Sequence, residues 1–233
     1  MIIDILSLFP EYFTGPFDVS IIKRAREKGL VSIRHTDIRQ YADNKHNRVD
    51  DRPFGGGPGM VIEPEPVVNA IDSVRDKDSY VVYLSPQGNL LNAKKAKMLA
   101  KKKHLVLLCG HYEGVDQRAL DLKVDEEISI GDYVLTNGCI SSIVLVDTVL
   151  RFIPGVLGHK EAALLDSLEN GLFKGPVYTR PEDYKGLKVP EVLTNGHHAM
   201  IEKWRYEQGL EKTKKVRPDL YEKHIHEEAI KEK

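Results

Sequence analysis

The chain has 233 residues, 41% of them hydrophobic and 30% charged, with a net charge of −1. That balance belongs to a globular protein with a sizeable core, and it excludes a disordered chain, a membrane-embedded one and a histone-like polycation. Two cysteines are too few for a secreted disulfide framework or a four-cysteine zinc site, so reduced thiols are expected.

The opening MIIDILSLFPEYF has no basic leader and meets Pro10 early, and no later apolar run is long enough to span a bilayer. A cytoplasmic protein with no membrane partner is expected. IIDILSLF reads as a strand, and FDVSIIKRAREKG as a helix that Gly29 closes. LVSIRHTDI, VVYLSP, HLVLLCG and ISIGDYVL read as further strands. EPVVNAIDSVR, NAKKAKMLAKKK, VDQRALDL and CISSIVLVDTVLRF read as the helices between or after them. This alternation predicts an α/β fold with a mostly parallel sheet, whose ligands sit at the carboxyl ends of the strands. After Pro154 the pattern dissolves into Gly, Pro and charge, which reads as a linker and docking loop. The stretch from His197 onward reads as a small α-helical domain broken at Arg217-Pro218.

Charge is clustered although its sum is near zero. Lys23 to Arg52 holds nine Lys or Arg against five acids, Lys94 to Lys103 holds six lysines, and KTKKVRP (Lys212 to Pro218) is basic again. Each alone reads as a solvated face; together they make a polyanionic partner plausible.

The turns LSPQGN (Leu84 to Asn89), CGHYEG (Cys109 to Gly114) and IGDYVLTNG (Ile130 to Gly138) follow predicted strands and carry glycine, so they can line a cleft with main chain. None matches a nucleotide fingerprint. FGGGPGM (Phe54 to Met60) lacks the Lys-Ser/Thr of a phosphate loop and reads as a lid or substrate loop. Cys109 and His111 lack the further ligands that zinc needs, and Gly110 between them makes a nucleophile pair doubtful; Cys109 reads as strand-end packing. Glu113, Asp116, Asp132, Asp147, Asp166 and Glu169 are all candidate acid-base groups, and their chemistry alone does not rank them.

DRPFGGGPGM, LSPQG, CGHYEGVD, the IGDYVL turn, RFIPGVLG, DSLENGL, YTRP and GHHAMIEKWR occur in an order, across nearly the whole chain, that resembles the bacterial tRNA (guanine-37-N1)-methyltransferases of the SPOUT class. The resemblance implies a deep trefoil knot in the α/β domain, which periodicity does not reveal and which general chain-threading rules would exclude. It implies a SPOUT cofactor-binding domain over 1–156, an interdomain linker over 157–170 and a helical tRNA-binding domain over 171–233. The implied assembly is a homodimer gripping the anticodon arm of tRNA, with S-adenosylmethionine held by Tyr83, Leu84, Ser85, Pro86 and Gly88, by Gly110, Tyr112, Glu113 and Gly114, and by Ser129, Ile130, Gly131, Tyr133, Leu135 and Gly138.

Guanine N1 carries a proton, so methylation there needs a base and a group that stabilises charge growing on O6. The resemblance assigns Asp166 as the base and Arg151 as the O6 partner, and it suggests Glu113 as a candidate Mg2+ contact, with no dedicated metal site. Where the family reads Gly-Gly-Glu-Leu-Pro-Ala, this chain has Asn137, Gly138, Cys139, Ile140, Ser141 and Ser142. Asn137 is read as keeping the turn because asparagine tolerates positive φ better than most residues, while the lost Glu and Pro put cofactor affinity and the start of the following helix in question. His111 stands where relatives often have Arg. Two alternatives therefore stay open: an RNA-binding protein of SPOUT type with a weakened cofactor site, and a SPOUT methyltransferase acting at another RNA position.

Overall fold

The computed structural model describes residues 1–158, 163 and 166–231. The chain divides into two compact units, Met1–Lys160 and Glu161–Lys233. Part of the linker expected over 157–170 lies outside the described residues.

In chain order the first unit contains β1 (Ile2–Ser7), α1 (Ser20–Glu27), β2 (Ser32–Asp37), β3 (Asp50–Asp51), β4 (Val61–Ile62), α2 (Pro64–Val74), β5 (Ser79–Leu90), α3 (Ala93–Leu99), β6 (His104–Cys109), α4 (Gln117–Lys123), β7 (Glu126–Ser129) and α5 (Gly138–Leu150). Five strands form one sheet in the order β2-β1-β6-β5-β7, every neighbouring pair parallel. β3 and β4 make a separate antiparallel pair.

Side chains alternate across the sheet with period two, and both faces are apolar because helices cover both. Ile3, Ile5, Val82, Leu84, Leu105, Leu107 and Ile128 pack with residues of α1, α3 and α5. Leu6, Val81, Tyr83, Val106 and Leu108 pack with residues of α2 and α4. One acid is built into this core. Asp4, almost fully buried, accepts hydrogen bonds from His104 Nε2 and Arg34 Nε, each at 2.7 Å, and a second, very short one from Arg34 Nη2. His104 Nδ1 meets Ser79 Oγ at 2.8 Å, so the carboxylate and the imidazole are both satisfied.

Two expectations are corrected here. LSPQGN is not a turn that ends its strand. β5 runs on to Leu90, and its pairing with β7 jumps from Leu84↔Ile128 to Asn89↔Ile128, so the residues between bulge out. Pro86 has no N–H for the ladder, and Gly88 lets the chain return, since a Cβ there would lie 2.4 Å from the Glu127 carbonyl carbon. ISIGDYVL, read as a strand, is mostly turn. β7 stops at Ser129, whose Oγ accepts the Gly131 N–H at 3.2 Å and donates to the Gly131 carbonyl at 3.0 Å. Gly131 itself sits at φ +156°.

The second unit has a short hairpin, β8 (Asp183–Tyr184) with β9 (Leu187–Lys188), then α6 (His198–Val216) and α7 (Pro218–Lys231), divided at Arg217-Pro218 as the sequence implies. α6 packs against the segment around Phe173. Thr213 Oγ1 accepts the Phe173 N–H at 2.8 Å while donating to the Gly209 carbonyl at 2.7 Å. Gly209 allows the contact, since a Cβ would meet the Phe173 carbonyl oxygen at 2.2 Å. Among the described residues, no helix is long and apolar enough to cross a membrane.

Candidate functional site

β6 and β7 end beside the point where β5 bulges, just after Leu84 pairs with both Cys109 and Ile128. The bulge, the turn after β6 and the turn after β7 converge there around a cavity of about 240 Å³. Its wall contains Tyr83, Leu84, Ser85 and Pro86 from β5; Gly110, Tyr112, Glu113 and Gly114 after β6; and Ser129, Ile130, Gly131, Tyr133, Leu135 and Gly138 after β7. Of the positions expected to surround one ligand, Gly88 alone is not in the wall; it stands behind it, against β7. Gln87, His111, Val134, Thr136 and Asn137, which belong to the turns read as able to line a cleft, are also in the wall, together with Ile128 and Ser141, which lie outside those turns.

The glycines hold the cavity open. A Cβ on Gly110 would come within 2.6 Å of the Tyr83 hydroxyl, and one on Gly138 within 2.9 Å of Cys109 Cα. Gly138 N–H donates to the Gly110 carbonyl at 2.8 Å, stitching the start of α5 to the end of β6. Tyr83 is buried beneath the turn after β6, and burial pushes its phenol up to about 12. Tyr112 takes the left-handed conformation, φ +57°, uncommon for a residue with a Cβ and here found in the wall of a cavity.

Asn137 carries a correction. Its tolerance of positive φ is not what suits it to this turn, because it is extended, φ −166° and ψ 171°. It is the N-cap of α5, its Oδ1 accepting the Cys139 N–H at 2.9 Å. The helix start placed in question by the missing proline is thus supplied by an amide cap.

His111 is more than a neighbour. It is nearly buried, its ring lies 4.9 Å from that of Phe9, and its Nε2 lies 3.6 Å from Cys139 Sγ. The reading of Cys109 as buried strand-end packing holds, since it is fully inaccessible. The Cys139–His111 contact was not legible because the residues are far apart in sequence and meet only when α5 docks on β6.

Glu113 joins the cavity to the glycine-rich loop. Its N–H donates to the Met60 carbonyl at 2.9 Å, and its side chain lies against Gly59, where a Cβ would approach to 2.6 Å. Among the described residues, no group of three or more His, Cys, Asp or Glu side chains could hold a metal ion. Arg151 is the C-cap of α5, half-buried, in the first unit. Asp166 belongs to the second unit, is exposed, and its Oδ1 accepts the Ser167 N–H at 3.0 Å.

Much of the first two basic clusters is engaged within the chain. Arg26 pairs with Asp18 at 2.5 Å, Arg34 with Asp4, Arg48 with Asp51 at 2.8 Å, Lys95 with Glu126 and Lys103 with Asp78 at 3.1 Å. Lys212, Lys214 and Lys215 at the end of α6 are exposed.

The family described as tRNA (Guanine-1)-methyltransferase TrmD matches residues 1–223. The chain is 65% identical over 220 residues to the tRNA (guanine-N(1)-)-methyltransferase of Protochlamydia amoebophila (strain UWE25), an alignment covering 94% of this chain and 99% of that protein. It is 59% identical over 221 residues to the protein of the same name from Chlamydia trachomatis serovar D, and 55% identical over 233 residues to the one from Chlamydia pneumoniae. These alignments cover 95% and 100% of this chain but only 62% and 64% of the relatives, which are longer. With that match over nearly its whole length, the chain belongs to the tRNA (Guanine-1)-methyltransferase TrmD family.

Proposed function

We propose that the chain transfers a methyl group from S-adenosylmethionine to N1 of guanine 37 in tRNA, as a cytosolic homodimer with the trefoil knot of its class. The observation that carries this reading is the glycine-bearing cavity between the bulge of β5 and the turns after β6 and β7, in a chain of this family.

The residues present suit the cofactor. Tyr83, Tyr112 and Tyr133 offer ring surface, and the glycine turns offer N–H and C=O groups at close approach, which is what a flat base joined to a polar tail requires. When bound, the cofactor supplies an electrophilic methyl group on a sulfonium. Everything else falls to the chain. Asp166 accepts the N1 proton, which turns a poor nucleophile into a good one, and Arg151 balances the charge that spreads to O6. In this reading Asp166 meets N1 only with the correct tRNA bound. Residues 171–233 form the tRNA-binding domain in this reading, with the exposed lysines at the end of α6 facing the phosphates of the anticodon arm. Glu113 would offer its carboxylate as one contact to an Mg2+ ion.

The reading is tested with Asp166→Ala. It expects methyl transfer to an unmodified tRNA transcript to vanish while calorimetry shows S-adenosylhomocysteine bound as tightly as by the wild type. Normal turnover in the variant removes Asp166 as the base. No binding of the ligand to the wild type, even at millimolar concentration, favours an RNA-binding protein with a lapsed cofactor site.

A further inference from the structure

We propose that Phe9 is a positioning residue for the cofactor: with Arg39 on one side and His111 on the other, its ring holds the turn that carries Tyr112, and so shapes the cavity wall from outside it. The stack follows from strand register. β2, β1 and β6 are neighbours in the sheet, and they end level, since Ser7 pairs with Asp37 and Leu6 with Leu108. Arg39, Phe9 and His111 are each the second residue past the end of their strand. Three side chains far apart in sequence therefore meet in a row along the carboxyl edge of the sheet. His111 and Tyr112 are in the wall of the cavity, whereas Phe9 and Arg39 are not.

The far end of the row is anchored. Asp37 Oδ1 accepts the Arg39 N–H at 2.9 Å, and Arg39 Nη1 donates to the carbonyl of Leu8, the residue before Phe9. The Phe9 N–H donates to Ser7 Oγ at 3.0 Å. Arg39 Cζ lies 4.6 Å from the centre of the Phe9 ring, a cation on an aromatic face, which stiffens a ring that is still 37% exposed. The Phe9 ring in turn lies 4.9 Å from that of His111, tilted by 59°.

The near end is where support is needed. Tyr112 holds φ +57° although its side chain is about half exposed, so its own packing does little to fix it. A left-handed residue with a Cβ persists where its surroundings over-determine it. His111 supplies those surroundings: it is nearly buried, with Phe9 against its ring and Cys139 Sγ 3.6 Å from its Nε2, and its carbonyl accepts the Gly114 N–H at 3.0 Å. Its ring also meets that of Tyr112 edge-on, with centroids 6.4 Å apart. Without the Phe9 ring, His111 loses one of its two supports, the turn loosens, and Tyr112 relaxes toward negative φ, carrying its ring away from the cavity.

The effect on the cofactor rests on the reading of the cavity given above, whereas the hold on the turn does not, so the two are measured separately. Hydrogen exchange of the ligand-free protein follows Glu113 and Gly114, whose N–H groups bond to the Met60 and His111 carbonyls. Calorimetry gives the affinity for S-adenosylhomocysteine, and steady-state methyl transfer gives KM for S-adenosylmethionine and for tRNA. In Phe9→Ala, exchange at the two amides is expected to rise on the order of tenfold while β5 and β6 keep their protection. Affinity falls on the order of tenfold, and KM for S-adenosylmethionine rises with it while KM for tRNA stays at the wild-type value. Phe9→Tyr, which keeps the ring, restores all of these values. Wild-type exchange at both amides in Phe9→Ala, or a rise spread evenly over the sheet, overturns the positioning role, as does an equal loss in Phe9→Tyr. Raised exchange with unchanged affinity, or KM values that rise together for both substrates, overturns the link to the pocket. If the wild type itself binds no ligand, the cofactor reading fails while exchange still decides whether Phe9 holds the turn.

Discussion

Gly138→Ala probes the junction on which the cavity depends. The new methyl group would lie 2.9 Å from both Cys109 Cα and Gly110 N, which are backbone atoms and cannot rotate away. Ordinary carbon contacts lie at about 3.5–4.0 Å, so α5 and β6 must part by about 0.6–1.1 Å. Overpacking of that kind costs about 1–3 kcal/mol, and alanine's helix-interior advantage does not offset it, because Gly138 is the first residue of α5. The loss lowers the melting temperature by about 2–12 °C. The same displacement lengthens the Gly138–Gly110 hydrogen bond in the cavity wall, so affinity for S-adenosylhomocysteine should fall on the order of tenfold. Calorimetric melting and ligand titration read the two effects. Gly158→Ala is the control, since a Cβ there meets nothing within 4 Å. A melting temperature and an affinity both equal to wild type would refute the claim that backbone contact between α5 and β6 shapes the pocket.

Other consequences follow from the same contacts. Asp4→Ala strands His104 and Arg34 at the buried end of their network and should cost about 3 kcal/mol in urea unfolding. Tyr83 is held neutral by burial, with its folded pKa raised from 10.0 to about 12. Its contribution is therefore complete below pH 10 and is lost as pH rises toward 12, by about 2–3 kcal/mol. Tyr83→Phe should lack that alkaline decline, and an identical pH profile would remove the assignment. Gly59 sits at φ +81°, so Gly59→Ala strains the loop as well as pushing the Glu113 side chain aside; it should lower the melting temperature and weaken methyl transfer and any Mg2+ dependence together.

The parallel sheet and the helices around it were legible because apolar alternation and helical spacing are local properties, and IIDILS and HLVLLC carry them plainly. The cavity was half legible. Glycines after strands mark where a backbone comes close to something, but what approaches them is set by register. Gly88, which the resemblance implies as a cofactor contact, also marks the point where β5 passes β7. The bulge in β5 and the early end of β7 depend on pairing between strands, which no single segment contains. Asn137 was noticed for the wrong reason, since an asparagine can serve either a left-handed turn or a helix cap and only the backbone decides which. The roles of Arg151 and Asp166 came from resemblance alone, because a half-buried arginine at a helix end and an exposed aspartate beside a turn have no chemistry of their own to announce.

The central claim is the position and chemistry of the methyl group. An unmodified tRNA transcript with guanine at position 37, incubated with the protein and S-adenosylmethionine, is digested and its nucleosides are mapped by mass spectrometry. One N1-methylguanosine at position 37, absent when that guanine is replaced by adenine, is the predicted result. Methylation at another atom or another position, or none in a protein that binds the cofactor, contradicts it.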